Sequence, residues 1–145
     1  MSRVKIKFPA ENPLFQTRIP VRIGDVNYGG HVGNDAVLSI IHEARMQMLT
    51  NFGYSEMNAG GVGMIMADVA IAYKGESFYG DVLEVEIYAA EFTPVSFDLL
   101  YHIKTTRNSA TADIAHAKTG MVCFDYSARR VTNLPPSLKS TLERV

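Results

Sequence analysis

The sequence has few of the features that would place it in an extracellular, membrane or nucleic-acid-binding class. Cys123 is its only cysteine, which excludes an internal disulfide and fits a reducing compartment. Fourteen Lys and Arg residues against fifteen Asp and Glu residues leave a formal net charge of −1, so no basic field points to nucleic acid or anionic lipid. The most apolar window, residues 64–73, contains Asp68 and is too short to cross a bilayer. The N-terminal residues lack the apolar segment of a secretory signal. We therefore expect a cytoplasmic protein with neither a membrane nor a nucleic acid as partner.

The composition that remains is ordinary for a folded domain. The 145 residues are 47% hydrophobic and 20% charged, a balance typical of soluble globular proteins and unlike that of disordered chains. A chain of this length usually forms one domain. We expect a single domain over residues 1–145.

The first third of the chain predicts a strand followed by the one long helix. Apolar and polar side chains alternate over residues 16–25, as in a half-buried strand, and Pro20 favours a sheet edge. After a loop rich in Gly, Asn and Tyr, residues 36–52 carry apolar side chains at helical spacing. The predicted ends of this helix are an N-cap at Asn34 or Asp35 and a stop at Gly53.

Residues 61–126 predict strands throughout. Their connections are too short for crossover helices, so the strands must be antiparallel. Pro135 and Pro136 begin a short terminal helix. The economical packing is an α+β fold in which a five-stranded antiparallel sheet wraps around the long helix. Such a sheet leaves unpaired edges, so we expect a homodimer or a homotetramer.

The segment IPVRIGDVNYGGHVGNDAVLSIIHEAR, residues 19–45, resembles the hotdog-fold thioesterases of the 4-hydroxybenzoyl-CoA thioesterase type. That family commonly has a strand ending in V-R, then D-x-D-x-x-G-H-V-N-N, then a helix ending in E-x-A-R or E-x-x-R. A second resemblance is YKGESFYGDVLEV, residues 73–85, where the family has Y-x-x-P-x-x-x-G-D-x-L-x-V. The residues that match the first pattern are Val21, Arg22, Asp25, Gly30, His31, Val32, Asn34, Glu43 and Arg45.

The resemblance implies the hotdog fold and hydrolysis of an acyl-CoA or acyl-carrier thioester to a free acid and a thiol. The sequence departs from the family at Asn27, where many relatives have their catalytic carboxylate, and at Gly33, which replaces the first Asn of the N-N pair. An amide cannot act as a general base or nucleophile near neutral pH. Asn27 therefore orients a water, or the carboxylate comes from elsewhere.

Four residues are candidates for the chemistry. Asp25 is the remaining acid of the D-x-D pair, or a carboxylate that caps the loop. His31 has the side chain most used for general acid–base work, or it is a packing residue. Glu43 lies off the apolar helix stripe and about 13 Å from Asn34 along the helix. It is solvated, paired with a group such as Arg45, or placed in the site of a second subunit. Asn27 completes the predicted catalytic set, which is Asp25, Asn27, His31 and Glu43.

The predicted substrate site combines the start of the helix with an acyl-binding wall. Backbone N–H groups near Asn34 suit a developing oxyanion, and glycines such as Gly30 allow close approach of a substrate. Lys104 and Arg107 are weaker candidates for binding coenzyme A phosphates. The predicted wall is Met64, Ile65, Met66 and Tyr73 with Met48 behind it, and the predicted binding set is Tyr28, Gly30, Asn34, Met66, Tyr73 and Lys74.

No metal or other cofactor is predicted, because His42, His102, His116 and Cys123 have no metal-ligand spacing. Two alternatives remain open from sequence. One is a hotdog dehydratase or hydratase acting on 3-hydroxyacyl thioesters, with His31 and Glu43 paired across subunits. The other is a hotdog domain that binds an acyl thioester without turnover, which the amide at Asn27 supports. The acyl group and the carrier are not specified by the sequence.

Overall fold

A computed structural model describes residues 3–143, so four positions of the predicted domain 1–145 lie outside the described residues. One antiparallel sheet of six strands forms the framework of this part of the chain. The strands are β1 (Phe15–Pro20), β2 (Gly63–Tyr73), β3 (Val82–Ala90), β4 (Ser96–Arg107), β5 (Ala110–Asp125) and β6 (Arg130–Val131). The main path of the sheet has the spatial order β1–β3–β4–β5–β2, and β6 pairs with the end of β5.

The long helix α1 spans Asn34–Asn51 and supplies the centre of the core. Ile41, Ala44 and Met48 on one face are fully buried, as their helical spacing predicts. The predicted N-cap at Asn34 or Asp35 is wrong by one or two positions. Gly33 is the N-cap, because its backbone is extended (φ −72°, ψ 156°) and its carbonyl oxygen accepts the first helical hydrogen bonds.

The inner face of the sheet packs on α1. Every second side chain is buried from Leu83 to Ile87 of β3 and from Phe97 to Thr105 of β4, where Leu100 is buried in addition. This is the period of a strand with one face in the core. The side chains that meet the helix within the same apolar cluster include Val85, Ile87, Leu99, Tyr101, Ala117 and Met121. The five strands of the main path around one central helix confirm the predicted hotdog fold.

The predicted strand over residues 16–25 is too long. β1 ends at Pro20, at the edge of the sheet, and residues Ile23–Asp25 form a 3-10 turn. The turn is closed by Asp25, whose Oδ2 accepts a hydrogen bond from the backbone N–H of Arg22 at 2.8 Å. This local bond competes with strand pairing.

Two β-bulges interrupt the pairing of β5. Ile114 is the extra residue opposite β4, between the pairs Ile103–Ala115 and Lys104–Asp113. Ala67 of β2 is the extra residue on the other side of β5. A bulge changes which face of the sheet the following side chains occupy.

The predicted C-terminal helix is α2, Pro136–Glu143, which buries Leu138 and Leu142 in the same core. Within residues 3–143, no helix has the length and the apolar character that crossing a membrane requires.

Candidate active site

The loop between the 3-10 turn and α1 is fixed by its own backbone. The N–H of Asn27 donates to the carbonyl of His31 at 2.9 Å, and the N–H of Gly30 donates to the carbonyl of Asn27 at 3.0 Å. Gly30 has φ +88°, a conformation that favours glycine. The Asn27 Oδ1 accepts the N–H of Gly29 at 2.9 Å. The loop is therefore a tight turn that delivers His31 to the start of α1.

The imidazole of His31 is half-buried and has one nitrogen fixed. Its Nδ1 lies 3.1 Å from the carbonyl oxygen of Val32. A nitrogen hydrogen-bonded to a carbonyl must carry the hydrogen, so Nε2 of the neutral ring is left with its lone pair. That Nε2 lies 3.7 Å from Oε2 of Glu76, a separation longer than a hydrogen bond.

Glu76 belongs to the loop between β2 and β3, which Arg107 of β4 holds in place. The guanidinium of Arg107 donates to both carboxylate oxygens of Asp81, at 3.1 and 2.6 Å, and to the backbone carbonyl of Glu76 at 2.8 Å. These hydrogen bonds lower the pKa of Asp81 below its ordinary value, although partial burial opposes the shift. The backbone N–H of Val32 also donates to the carbonyl of Ser77 at 2.8 Å, so the Glu76 loop and the His31 loop are joined.

These two loops and the start of α1 enclose a groove of about 290 Å³, here called the helix-start groove. The structure thus brings together four of the predicted site residues: His31, Asn34, Tyr73 and Lys74. Glu76 was not predicted. The groove is lined by His31, Val32, Asn34, Val37, Tyr73, Lys74, Gly75, Glu76, Ser77 and Ile114.

The first turn of α1 gives this groove its polar wall. The first helical donors are the N–H groups of Ala36 and Val37, which both reach the carbonyl of Gly33. Earlier N–H groups, those of Asn34 and Asp35, therefore have no intrahelical acceptor. Within the described residues, no side chain caps this end of the helix. The Tyr73 hydroxyl donates to the carbonyl of Asn34 at 3.2 Å and holds the edge strand β2 against the helix start.

Asp25 and Glu43, the two predicted catalytic carboxylates, line a different groove of about 250 Å³, here called the carboxylate groove. Asp25 is buried and already bonded to Arg22. Glu43 accepts a hydrogen bond from Gln47 at 2.8 Å. Neither lines the helix-start groove. The carboxylate groove is lined by Arg18, Ile19, Pro20, Arg22, Asp25, Ser39, Ile40, Glu43 and Gln47.

The predicted acyl-binding wall does not form within one chain. Met64 and Met48 are buried in the core, whereas Ile65 and Met66 are exposed on the edge strand β2. Of that set only Tyr73 lines the helix-start groove. Tyr28 is fully exposed and lines neither groove.

Two predicted phosphate-binding cations are already paired. Lys104 donates to Oε2 of Glu86 at 3.2 Å, and Arg107 holds Asp81 as described. Lys74 alone of the three lines the helix-start groove. The predicted role in coenzyme A binding is therefore not supported for Lys104 and Arg107.

Arg45, three turns along α1, is the centre of a closed polar network rather than the partner of Glu43. Its Nε donates to Glu56 at 2.8 Å and its Nη1 donates to the hydroxyl of Tyr101 at 3.1 Å. That hydroxyl also bonds Thr119 at 2.7 Å. Burial raises the pKa of Tyr101. Burial acts in the same direction on Glu56, but hydrogen bonds from Arg45 and His42 outweigh it, and the pKa of Glu56 is lowered.

The profile of the thioesterase-like superfamily matches residues 21–142. No curated protein matches the chain. Three solved structures illustrate the similarity of fold, and each is less than 25% identical to this sequence.

A 1,4-dihydroxy-2-naphthoyl-CoA thioesterase from Synechocystis is 22% identical, with a TM-score of 0.79 over 90% of this chain and 96% of that chain. A candidate thioesterase from Pseudomonas aeruginosa is 23% identical, with a TM-score of 0.79 over 88% and 97%. A variant of 4-hydroxybenzoyl-CoA thioesterase in complex with 4-hydroxybenzoyl-CoA is 17% identical, with a TM-score of 0.79 over 88% and 97%.

Proposed function

Because this chain belongs to the thioesterase-like superfamily, we propose that it hydrolyses an acyl-CoA or acyl-carrier thioester at the helix-start groove. The observation that carries the proposal is the position of His31. Its Nε2, a carboxylate at 3.7 Å and the first turn of α1, which has no side-chain cap, line one groove. A base and oxyanion donors on one surface are what acyl transfer to water requires.

In the proposed reaction His31 is the general base. Nε2 takes a proton from a water molecule whose oxygen attacks the thioester carbonyl carbon. The C–S bond then breaks, and the imidazolium returns its proton to the leaving thiolate. The hydrogen bond from Nδ1 to Val32 keeps the ring orientation through both steps. Glu76 stabilises the imidazolium electrostatically.

The backbone N–H groups of Asn34 and Asp35 are the proposed oxyanion donors. They point out of the positive end of the helix dipole, and fixed donors of this kind stabilise the charge that develops on the carbonyl oxygen. Lys74, which is exposed at the rim of the same groove, is the proposed contact for a phosphate of the thiol arm.

We propose that Asn27 orients the attacking water molecule rather than activating it. Its Oδ1 is bonded to the N–H of Gly29. A Cβ built on Gly33 would lie 3.7 Å from Nδ2 of Asn27, so the amide is beside the helix start and can hold a water there. In this proposal Asp25 keeps the loop in shape through its bonds to Arg22, and Glu43 takes no part within one chain.

A second copy of the chain is proposed to complete the site. β2 is an edge strand of the sheet, and Ile65, Met66, Val69 and Tyr73 are exposed along it. An exposed apolar edge is a surface that proteins usually cover. A homodimer formed at this edge would place a partner beside Tyr73, at the mouth of the groove. We also propose a cytoplasmic location, with which the one buried thiol, Cys123, agrees.

The test is thiol release from a panel of acyl-CoA substrates, measured with a thiol reagent. The panel includes 4-hydroxybenzoyl-CoA and 1,4-dihydroxy-2-naphthoyl-CoA, as well as branched and straight acyl chains. We expect release by the natural chain and a loss of about 100-fold or more in kcat for His31→Ala, because a general base contributes that much. His42→Ala is the matched control, since His42 lies on α1 and bonds Glu56 outside the groove.

Equal activity of His31→Ala and the natural chain would overturn the proposed base. Asn27→Ala should lower kcat with the fold intact. If no substrate releases thiol but a 3-hydroxyacyl thioester gains the ultraviolet absorbance of an enoyl thioester, the dehydratase alternative is correct. Tight binding of acyl-CoA without any product would instead favour a binding domain.

A further inference from the structure

We propose that His102, Asp113 and His116 form a binding site for one divalent transition metal ion such as Zn²⁺, on the outer face of the sheet. One ligand atom from each of the three residues lies within 4.8 Å of the others. None of the three lines the helix-start groove, so the proposal is independent of the proposed hydrolysis.

The sheet register places the two histidines side by side. His102 of β4 and His116 of β5 are direct cross-strand partners, and such partners on one face have Cβ atoms about 5 Å apart. Their rings meet edge to face with centroids 4.9 Å apart. Both rings are half-buried, with 24% and 18% of the side chain exposed.

The bulge at Ile114 places the carboxylate of Asp113 beside the two histidines. In a regular strand, Asp113 and His116 would occupy opposite faces, because they are three residues apart. The extra residue makes Ile114 and Ala115 both buried and returns Asp113 to the face of the histidines. Asp113 then accepts from Nε2 of His102 at 2.6 Å and from Nε2 of His116 at 2.9 Å.

This donor set fits a metal of the zinc type. Imidazole and carboxylate ligands bind Zn²⁺ at about 2.0–2.2 Å, so ligand atoms around one tetrahedral ion stand about 3.3 Å apart. The ligand atoms of the cluster lie within 4.8 Å of one another, so binding one ion requires side-chain shifts on the order of 1 Å. Asp113 is 47% exposed, which gives the ion a path from solvent and leaves room for water as a further ligand.

The surroundings of His102 support metal binding rather than a simple ion pair. When Nε2 binds the metal, the ring hydrogen must sit on Nδ1, and Oε1 of Glu86 lies 3.5 Å from that atom. A carboxylate behind a metal-bound histidine fixes the tautomer and orients the ring. Phe8 packs on both rings, with centroids 4.9 and 5.1 Å away. The proposed ion would therefore join β4, β5 and the N-terminal segment.

The test is Zn²⁺ binding by the tag-free protein, measured by calorimetry. We expect one equivalent to bind, and an affinity at least about tenfold lower in His102→Gln, His116→Gln and Asp113→Asn. Glu86→Gln should weaken binding about tenfold through the orientation of His102. His42→Gln is the matched control, because His42 also pairs with a carboxylate but belongs to no such cluster within the described residues.

A second measurement avoids any effect of these substitutions on folding. The sequence has only four histidines, so their ring protons can be followed separately by NMR in the natural protein. Zn²⁺ should shift the signals of His102 and His116 and leave those of His31 and His42 in place. Absence of saturable binding, or shifts confined to His31 and His42, would overturn the proposal.

Discussion

Two polar regions on the same helix differ in how completely their hydrogen bonds are used. Around Arg45 the polar side chains are hydrogen-bonded to one another. The guanidinium donates to Glu56 and to Tyr101, Thr119 bonds the hydroxyl of Tyr101, and His42 bonds Glu56. At the first turn of α1 the groups are open, because His31 faces Glu76 without a direct hydrogen bond and the helix has no side-chain cap.

The difference separates a stabilising role from a chemical one. A buried charge that lacks its partner costs several kcal/mol, so a network like that of Arg45 is expected to stabilise the fold. An open donor or lone pair beside a groove is available to a reacting molecule. Substitutions in the two regions should therefore affect different measurements.

Arg45→Ala is expected to have the largest effect on stability. The substitution leaves Glu56 without its main partner and creates an empty volume beside Tyr101. We expect the free energy of unfolding to fall by about 3 kcal/mol, which is roughly 150-fold in the unfolding equilibrium. Chemical denaturation followed by circular dichroism measures this change. Arg45→Met, which keeps the apolar volume, should lose less. A stable Arg45→Ala protein with lost activity would reverse the comparison between the two regions.

Asp81→Asn tests the ion pair with Arg107 that holds the Glu76 loop in place. Its effect on stability should be smaller than that of Arg45→Ala and should depend on pH. Asn keeps one acceptor oxygen, so at neutral pH the substitution removes the charge and one of the two hydrogen bonds to Arg107. This loss should lower the free energy of unfolding by about 2 kcal/mol. The pKa of Asp81 is lower in the folded protein than in the unfolded one, so its stabilisation is present above the ordinary aspartate pKa and is lost as the pH falls through the folded value.

The stability difference between the natural chain and Asp81→Asn should therefore be constant from pH 7 to about 5 and disappear as Asp81 becomes protonated. Asp68→Asn is the control, because the ion pair of Asp68 with Lys118 is exposed and should contribute less than about 1 kcal/mol. A difference that persists at low pH would mean that the charge of Asp81 is not the cause.

Glu76→Gln and Glu43→Gln are expected to have the smallest effects and sharpen the comparison between the two grooves. Glu76→Gln should lower kcat about tenfold, because it removes the charge that stabilises the His31 imidazolium. Glu43→Gln should change kcat less than about twofold, since Glu43 lies in the carboxylate groove. Thiol release at substrate saturation measures both. The reverse order would indicate that Glu43 acts in the site of a second subunit.

The sequence predicts the helix and the main strands because their apolar residues repeat at the periods of those structures. It does not predict β6, which has two residues, or the 3-10 turn, which depends on the side chain of Asp25. The helix begins earlier than predicted, because the extended backbone of Gly33 acts as the N-cap without any side-chain hydrogen bond.

The candidate site is predictable only where it follows a local motif. His31 and Asn34 are found through the loop and helix pattern. Glu76 is missed because its position depends on Arg107, 31 residues further along the chain. The cluster at His116 is missed because strand spacing puts Asp113 on the wrong face unless the bulge is known.

The two bulges of the sheet also contribute to its bend and twist. Thirteen residues of β5, Ala110 to Val122, span the same length of sheet as the twelve of β4. On the other side, the eleven residues of β2 face ten of β5, Ala115 to Phe124. Over each of these paired stretches one strand therefore carries one residue more than its partner. A bulge bends the strand that carries it and increases its right-handed twist, so deleting either extra residue should make the sheet flatter.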